Sequence, residues 1–375
     1  MYSSSSRSVV ERILEPAGVH IGSEHPFDLD VHDERFYERL LKGGSLAFGE
    51  SYVDGWWDCE QLDELVRRIF TSGAHESVPD HLTTRLQVLR ARLFNLQSVR
   101  RAFQVGEHHY DIGNDLYARM LGETMSYTCA YWRHAGDLDS AQRAKFDLVC
   151  RKVGLREGMH ILELGCGWAT FARHAAATHG VRATAYTVSK EQAALGRELC
   201  AGLPVDIRLA DYRSASGQYD AVVSIGIMEH IGHKNYRTYM NTAHRCLKPG
   251  GVAFVHTIGG NRSRMHIEPW LGKYIFPNAM LPSMSQLGAA MERLFVLEDV
   301  HNIGPDYDPT LMAWWRNFEA AWPEFAPRYG ERFRRMWRYY LLGCAGSFRA
   351  RYTQLWQMVM TRTRDGRPQP ACRVV

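Results

Sequence analysis

The segment YTCAYW, residues 127–132, surrounds one cysteine with three large aromatic side chains. It lies about thirty residues before a glycine-rich turn, LELGCGWAT, which contains Glu163, Gly165 and Gly167. Aromatic faces attract a cation by about 0.5–2 kcal/mol per contact without reacting with it. Glycines in such a turn let the backbone approach a bound molecule closely. The two segments indicate a pocket for a cationic, apolar substrate beside a ligand-binding turn, although the aromatic segment also fits ordinary core.

Strands and helices alternate from about residue 150 onward. Apolar runs such as MHILELGCG are followed by helical segments such as WATFARHAAATHG, and a KPGG turn leads into VAFVHTIGG. This alternation predicts an α/β fold with an open, doubly wound parallel sheet covered by helices on both faces. Ligands bind such sheets at the carboxyl ends of the strands. The glycine turn and the ends of the next two strands are therefore expected to hold a cofactor.

The glycine turn differs from that of dinucleotide-binding proteins. Its spacing is Gly-x-Gly-x-Ala, and Glu163 stands two residues before the first glycine, whereas dinucleotide binders have Gly-x-Gly-x-x-Gly. The second strand leads to Thr187, Ser189 and Gln192, not to the acid that an NAD enzyme prefers. The turn resembles the first motif of class I S-adenosylmethionine-dependent methyltransferases, where this region holds the amino acid part of the cofactor. A tight turn without a ligand is the alternative.

The N-terminal part of the chain predicts a different organisation. Residues 1–80 indicate a small, mostly helical domain associated with lipid or membrane, and residues 81–105 indicate a basic amphipathic helix with five arginines and no acid. Such helices bind anionic lipid headgroups, although a solvated connector helix has the same pattern. We assign residues 106–360 to a catalytic domain and 361–375 to a flexible tail.

Composition narrows the classes of function. The 375 residues are 45% hydrophobic and 23% charged, as in ordinary globular proteins, and the net charge of +4 argues against a nucleic-acid partner. No apolar run approaches the roughly 20 residues of a membrane span. The N-terminus lacks the apolar region of a signal peptide, so a cytoplasmic location is expected. The eight cysteines include no Cys-x-x-Cys pair, which argues against a metal site.

Several longer motifs resemble those of bacterial cyclopropane-fatty-acyl-phospholipid synthases. They run in order from about residue 40 to 360 and include DGWWDCEQLDEL, EHHYDIGNDLYARML, MSYTCAYW, GIMEHIG, VHTIGG, PWLGKYIFPN, GPDYDPTLMAWW and YYLLGCAGSFRAR. The resemblance implies a class I methyltransferase, Rossmann-like fold. It also implies addition of the methyl carbon of S-adenosylmethionine across a cis double bond of a phospholipid acyl chain. A homodimer that associates peripherally with the inner face of the membrane is expected.

The reaction of that family assigns roles to particular residues. The alkene attacks the sulfonium methyl group and leaves a carbocation, which must lose a proton to a positioned base before the ring closes. The family's base is understood to be a bound bicarbonate ion. The resemblance implies that it is bound through the backbone at Cys129 and Ile258 and by the side chains of Glu229, His256 and Tyr307.

The remaining candidates follow from the same motifs. Cys344 matches the family's other noted cysteine, but no base partner of a thiol nucleophile stands beside it. Ala169 replaces a glycine that close relatives usually have at a helix-packing position, and slightly changed packing with retained cofactor binding is expected. Alternative functions are a lipid C-methyltransferase that makes methyl- or methylene-branched chains and a non-catalytic lipid-binding relative. The predicted cofactor-binding residues are Tyr127, Thr128, Glu163, Gly165, Cys166, Gly167, Thr187, Ser189, Gln192, Asp211 and Tyr212.

Overall fold

The computed structural model describes residues 3–77, 95, 97 and 113–365. The predicted basic helix lies outside these residues except for Asn95 and Gln97, and so do residues 107–112 of the EHHYDIGNDLY motif. The predicted tail lies outside them from residue 366 onward. Residues 361 and 362, which we also assigned to that tail, instead end a strand of the sheet.

The secondary structure is mixed, with helices and strands in both the N-terminal and the C-terminal parts of the chain. In chain order, the α-helices of the described residues are α1 (Ser3–Leu14), α2 (Arg35–Val53), α3 (Leu62–Ser72), α4 (Asn114–Leu121), α5 (Leu138–Val153), α6 (Thr170–His179), α7 (Lys190–Leu199), α8 (Met228–Ile231), α9 (Tyr236–Cys246), α10 (Pro269–Tyr274), α11 (Met284–Met291) and α12 (Tyr307–Arg349). The strands there are β1 (Asp30–Val31), β2 (Trp57–Asp58), β3 (His160–Leu164), β4 (Arg182–Thr187), β5 (Val205–Leu209), β6 (Tyr219–Ile225), β7 (Leu247–Gly260), β8 (Phe295–Asn302) and β9 (Thr353–Arg362).

The main sheet confirms the predicted α/β fold. In the described part of the chain its seven strands have the order β5-β4-β3-β6-β7-β9-β8. The pairs from β5 to β7 are parallel, and β8 pairs with β9 in the antiparallel direction. Leu162 packs in one apolar core and Ile161 in another, so both faces of the sheet are covered. The strand order reverses between β3 and β6, which places the expected ligand site at their carboxyl ends.

The described residues form two compact units. The first contains 3–77, Met265–Pro277 and Tyr307–Thr353. The second contains the remaining described residues and nearly all of the main sheet. This division differs from the linear boundary at residue 106, because two later segments of the chain pack with the N-terminal residues.

The first unit is mostly helical and has an aromatic centre. The indole of Trp57 stacks on Phe48 with ring centroids 4.4 Å apart, and its Nε1–H donates to the Phe48 carbonyl at 3.1 Å. The long helix α12 packs closely on α3, since a Cβ added at Gly346 would lie 2.3 Å from the Asp63 carbonyl oxygen. Within the residues described here, no helix is long and apolar enough to cross a membrane.

Helix α5 determines where the YTCAYW segment lies. Asp137 caps its first turn by accepting from the Ser140 N–H at 2.8 Å, and Gly154 ends it in the left-handed conformation. The side chains of Gln142 and Lys145 are completely buried on one face of this helix. That face contacts Ser126 and Thr128, at the start of the YTCAYW segment, as described below.

Candidate active site

The glycine turn after β3 has the backbone that its sequence predicts. Gly165 and Gly167 have positive φ values of 75° and 55°, which favour glycine. The N–H groups of Gly165 and Cys166 donate to the Tyr186 carbonyl at 3.0 and 2.8 Å, which fixes the turn against β4. Ala169 also lies in the left-handed region, with φ 59°. Ala169, which stands where close relatives usually have glycine, therefore has a strained backbone, whereas we expected only a change of helix packing.

Glu163 is a buried carboxyl group at the end of β3. Its side chain accepts a hydrogen bond from the Ala172 N–H at 3.1 Å, in the first turn of α6. Burial raises its pKa to about 8, although that hydrogen bond and Lys145 oppose the rise. A ligand ammonium group at this position would favour the ionised carboxylate. The site is therefore suited to the amino group of an amino acid.

The ends of β4 and β5 contain the other predicted cofactor residues. The Thr187 hydroxyl donates to the Gln192 side-chain oxygen at 3.1 Å, and Ser189 caps α7 by accepting from the Gln192 N–H. Asp211 accepts from the backbone N–H and the guanidinium group of Arg213 at 2.9 and 3.0 Å. The Tyr212 hydroxyl is buried and has no hydrogen-bond partner among the described residues. These polar groups lie at the carboxyl ends of neighbouring strands.

A second group of buried polar atoms lies after β6 and within β7. Glu229 accepts the Ile258 N–H at 2.5 Å through Oε1, and its Oε2 has no partner in the described part of the chain. His256 Nδ1 lies 3.4 Å from Gln357 Nε2, while His256 Nε2 also lacks a partner there. Buried polar atoms are rarely left without hydrogen bonds in native proteins. The two unpartnered atoms therefore indicate a small polar ligand.

Burial shifts the pKa of both groups toward neutral forms. The pKa of Glu229 rises to about 7, and the pKa of His256 falls well below its ordinary value, with nearby Lys145 and Lys152 adding to the fall. His256 is therefore a neutral imidazole at neutral pH. In the tautomer whose Nδ1 accepts from the Gln357 amide, the ring proton is on Nε2. That tautomer offers an N–H donor toward the unpartnered side.

In the second unit, Cys129 and Ala130 of the YTCAYW segment are buried, whereas its other four residues are half-buried. The Cys129 thiol is completely buried and donates to the Ala130 carbonyl at 3.2 Å. The Tyr127 ring makes an edge contact with Tyr117, whose ring in turn contacts Trp168 of the glycine turn. Residues 127–129 therefore connect through aromatic contacts to the predicted cofactor site.

Sequence reasoning missed three residues of this region. Lys145 donates to the Ser126 and Thr128 hydroxyls at 2.7 and 2.8 Å, and Gln142 donates to the Thr128 carbonyl at 2.8 Å. Gln357 contacts His256 from β9. Gln142 and Lys145 are three residues apart in a helical segment, so a polar pair among the apolar positions of α5 was the available signal.

Two predicted catalytic residues belong to the first unit. The Tyr307 ring begins α12 and stacks on Phe348 with centroids 4.5 Å apart. Burial raises the pKa of the Cys344 thiol to about 12, so this thiol stays protonated at neutral pH. Both residues stay predictions as parts of the site. No group of three or more His, Cys, Asp or Glu side chains that could hold a metal occurs among the described residues.

Comparison with known proteins identifies close relatives. The chain is 48% identical to the cyclopropane-fatty-acyl-phospholipid synthase of Escherichia coli strain K12, over 94% of this chain and 93% of the relative. It is 32% identical to the tuberculostearic acid methyltransferase UfaA1 of Mycobacterium tuberculosis, over 94% and 87%. The solved structure of the cyclopropane synthase MmaA2 from M. tuberculosis has a TM-score of 0.64 and 30% identity, and covers 69% of this chain and 97% of that one.

The family assignment follows from these matches. Residues 97–358 match the family described as mycolic acid cyclopropane synthetase. That match and the similarity over nearly the whole chain agree with the motifs, the sheet and the glycine turn. The chain belongs to the mycolic acid cyclopropane synthetase family.

Proposed function

We propose that this protein adds the methyl carbon of S-adenosylmethionine across the cis double bond of an unsaturated acyl chain in a membrane phospholipid. The product is a cyclopropane fatty acyl chain, and bound bicarbonate is the base. The observation that carries the proposal is the pair of unpartnered buried atoms, Glu229 Oε2 and His256 Nε2, beside the Ile258 N–H. The 48% identity to a cyclopropane-fatty-acyl-phospholipid synthase supports the substrate class.

The residues at the end of β3, β4 and β5 fit the cofactor. S-adenosylmethionine, when bound, supplies the methyl carbon that becomes the ring carbon. Glu163 would accept a hydrogen bond from the amino group of the cofactor's amino acid part. The Gln192 amide would accept a hydrogen bond from a ribose hydroxyl or donate one to it. Asp211 and Tyr212 would contact the adenine end. A structure of the related synthase CmaA1, solved with S-adenosylhomocysteine and CTAB, has a TM-score of 0.64 and 31% identity, over 70% of this chain and 98% of that one.

The residues around β6 and β7 fit an anion that carries a hydroxyl group. Bicarbonate, when bound, accepts the proton that the carbocation loses. The His256 Nε2–H would donate to its charged oxygens, whereas the Ile258 N–H, a predicted ligand, already donates to Glu229 Oε1. The ionised Glu229 carboxylate would accept its hydroxyl proton through Oε2. The backbone at Cys129 would contribute to the same site of the second unit, and Tyr307 stays a prediction from the motifs.

The experiment that tests this function is mass spectrometry of acyl chains. The full-length protein is incubated with vesicles of cis-unsaturated phospholipid and methyl-labelled S-adenosylmethionine, with and without added bicarbonate. We expect a labelled one-carbon gain with loss of the double bond, stimulated by bicarbonate. A labelled chain that keeps a double bond would instead support the alternative of a lipid C-methyltransferase that makes branched chains. Absence of label in lipid would contradict both.

Replacing Glu163 with glutamine is expected to weaken cofactor binding. The amide keeps the hydrogen bond from Ala172 but removes the charge that would accept a ligand ammonium group. A hydrogen bond to a charged group contributes about 1.5–3 kcal/mol, so the dissociation constant should rise about tenfold or more. Isothermal titration with S-adenosylhomocysteine measures this directly. An unchanged constant would remove Glu163 from the cofactor site.

We also propose that residues 81–105 bring the protein to the inner face of the membrane as a cytoplasmic, peripheral homodimer. Basic residues near an anionic surface contribute about 1 kcal/mol each. Replacing Arg90, Arg92, Arg100 and Arg101 with glutamine should therefore reduce binding to anionic vesicles by at least tenfold. Lysine substitutions at the same four positions should retain binding. A vesicle flotation assay measures both variants. Equal vesicle binding by the glutamine and the lysine variants would contradict the membrane-binding role of residues 81–105. Light scattering would test the proposed homodimer.

A further inference from the structure

Lys145 is a lysine without solvent contact in the interior of the second unit. Its side chain is completely buried, and its ammonium group donates to Ser126 at 2.7 Å and to Thr128 at 2.8 Å. The two hydroxyl groups also lie 3.1 Å from each other. One ammonium group therefore joins two residues of the segment that precedes Cys129. Burying a lysine in this way is costly and occurs mainly where the group has a function.

The charge of Lys145 has no carboxylate partner. Among the described residues it makes no ion pair, whereas Lys152, two turns along the same helix, pairs with Asp299 at 3.0 Å. The charged and titratable groups that interact electrostatically with Lys145 are Glu163 on β3, Cys129 on the preceding loop and His256 on β7. These three residues belong to the two predicted ligand sites. An anion in the second site would therefore compensate the buried charge.

We propose that Lys145 is a positioning residue that holds residues Ser126–Cys129 in place for both ligands and favours an anion at the site of Glu229 and His256. The positioning of the segment concerns the cofactor, because Tyr127 and Thr128 are predicted cofactor-binding residues. The preference for an anion rests on the proposed function, because the proposed anion is bicarbonate. Gln142 supports the same segment by donating to the Thr128 carbonyl at 2.8 Å. The segment is thus tied to α5 by its backbone and by its side chains.

The test compares three variants of the full-length protein. Lys145→Met removes the ammonium group but keeps the length of the side chain, and the Ser126 and Thr128 hydroxyls can still bond each other. Ser126→Ala removes one acceptor and leaves the lysine. Lys152→Met is the matched control, since it makes the same change at a buried lysine of the same helix. The readouts are the dissociation constant of S-adenosylhomocysteine and the bicarbonate concentration that gives half of the maximal rate.

We expect Lys145→Met to raise both quantities at least tenfold and Ser126→Ala to raise them less. Lys152→Met should change the dissociation constant of S-adenosylhomocysteine by less than twofold, and it is a control for that readout only, because Lys152 also acts on His256. Circular dichroism confirms that each variant is folded. Values for Lys145→Met within twofold of those of the unsubstituted protein would overturn the proposal, as would an equal loss of S-adenosylhomocysteine affinity in Lys152→Met. If the unsubstituted protein makes no lipid product but Lys145→Met still loses S-adenosylhomocysteine affinity, the positioning role stands and the proposed function fails.

Discussion

The Glu229→Gln variant is expected to bind S-adenosylmethionine normally and to lose turnover by about 10²- to 10³-fold, the usual contribution of a positioned proton-transfer group. The glutamine side-chain oxygen can still accept the Ile258 N–H, as Oε1 does at 2.5 Å. Its NH₂ group takes the place of Oε2, which has no partner among the described residues. A donor then faces the bicarbonate hydroxyl where an acceptor is needed. The fold and the cofactor turn are unaffected by this exchange.

The measurement is the rate of label transfer to lipid at saturating S-adenosylmethionine, together with the cofactor dissociation constant. Glu163→Gln is the matched contrast, since it changes a second buried carboxyl group and is expected to raise the dissociation constant instead. The pKa of Glu229 is about 7, so turnover of the unsubstituted protein at saturating bicarbonate should rise as pH increases through 7. Saturation is needed because the pKa of Lys145, whose positive charge favours the anion, is also about 7. That rise should be absent in Glu229→Gln. Unchanged turnover would remove Glu229 from the base site.

The second expected result concerns stability. Lys145→Met should unfold at a higher urea concentration than the unsubstituted protein, with the largest difference below pH 7. Burial lowers the pKa of Lys145 from 10.5 to about 7. At about 1.4 kcal/mol per pKa unit, the protonated lysine costs the folded state roughly 5 kcal/mol. The two lost hydrogen bonds to the charged ammonium group offset about 1.5 kcal/mol each at the lower end of their range, so a net gain of up to about 2 kcal/mol is expected.

The pH dependence has a definite sign. Below pH 7 the lysine is protonated in both the folded and the unfolded chain, and the full cost is present. Between the folded value of about 7 and the unfolded value of 10.5, the unfolded chain binds more protons, so stability of the unsubstituted protein rises with pH. The advantage of the variant should therefore shrink from pH 6 to pH 9. Lys152→Met, which leaves Asp299 without its partner, should lower stability at both values.

A variant that is more stable and less active would identify a site where stability is given up for function. Proteins commonly retain destabilising groups at active sites for this reason. A loss of stability in Lys145→Met at both pH values would contradict the cost that we assign to the buried charge.

The sequence was informative where local pattern determines structure. Alternating apolar runs and helices predicted the sheet, and the spacing around Gly165 and Gly167 predicted the turn that the structure contains. Glu229 and His256 were assigned by the resemblance of their motifs to cyclopropane-fatty-acyl-phospholipid synthases, and their places after β6 and within β7 agree with where ligands bind in such sheets. Each of these features depends on residues close together in the chain.

Other features depend on contacts between distant segments. Gln357 is a polar residue of a type that usually lies on the surface, and nothing near it in the sequence indicates that it is completely buried. Residues Met265–Pro277 and Tyr307–Thr353 belong with the N-terminal helices, a grouping that no local pattern encodes. The strained backbone of Ala169 was also missed, because a substitution read from one sequence does not reveal its φ angle.

The pairing of β6 with β7 limits where the chain can change in length. Ile225 lies opposite His256, whereas Tyr219 lies opposite Leu247 and Ala221 opposite Val252, so residues 248–251 form an irregularity in the ladder. Residues added to or removed from the stretch 248–251 would leave the regular pairing from Val252 onward unchanged. A single-residue insertion between Val252 and His256 would turn His256 to the other face of the sheet and carry the Ile258 N–H away from Glu229. Homologues with insertions are therefore expected to carry them in the turn and not in the strand.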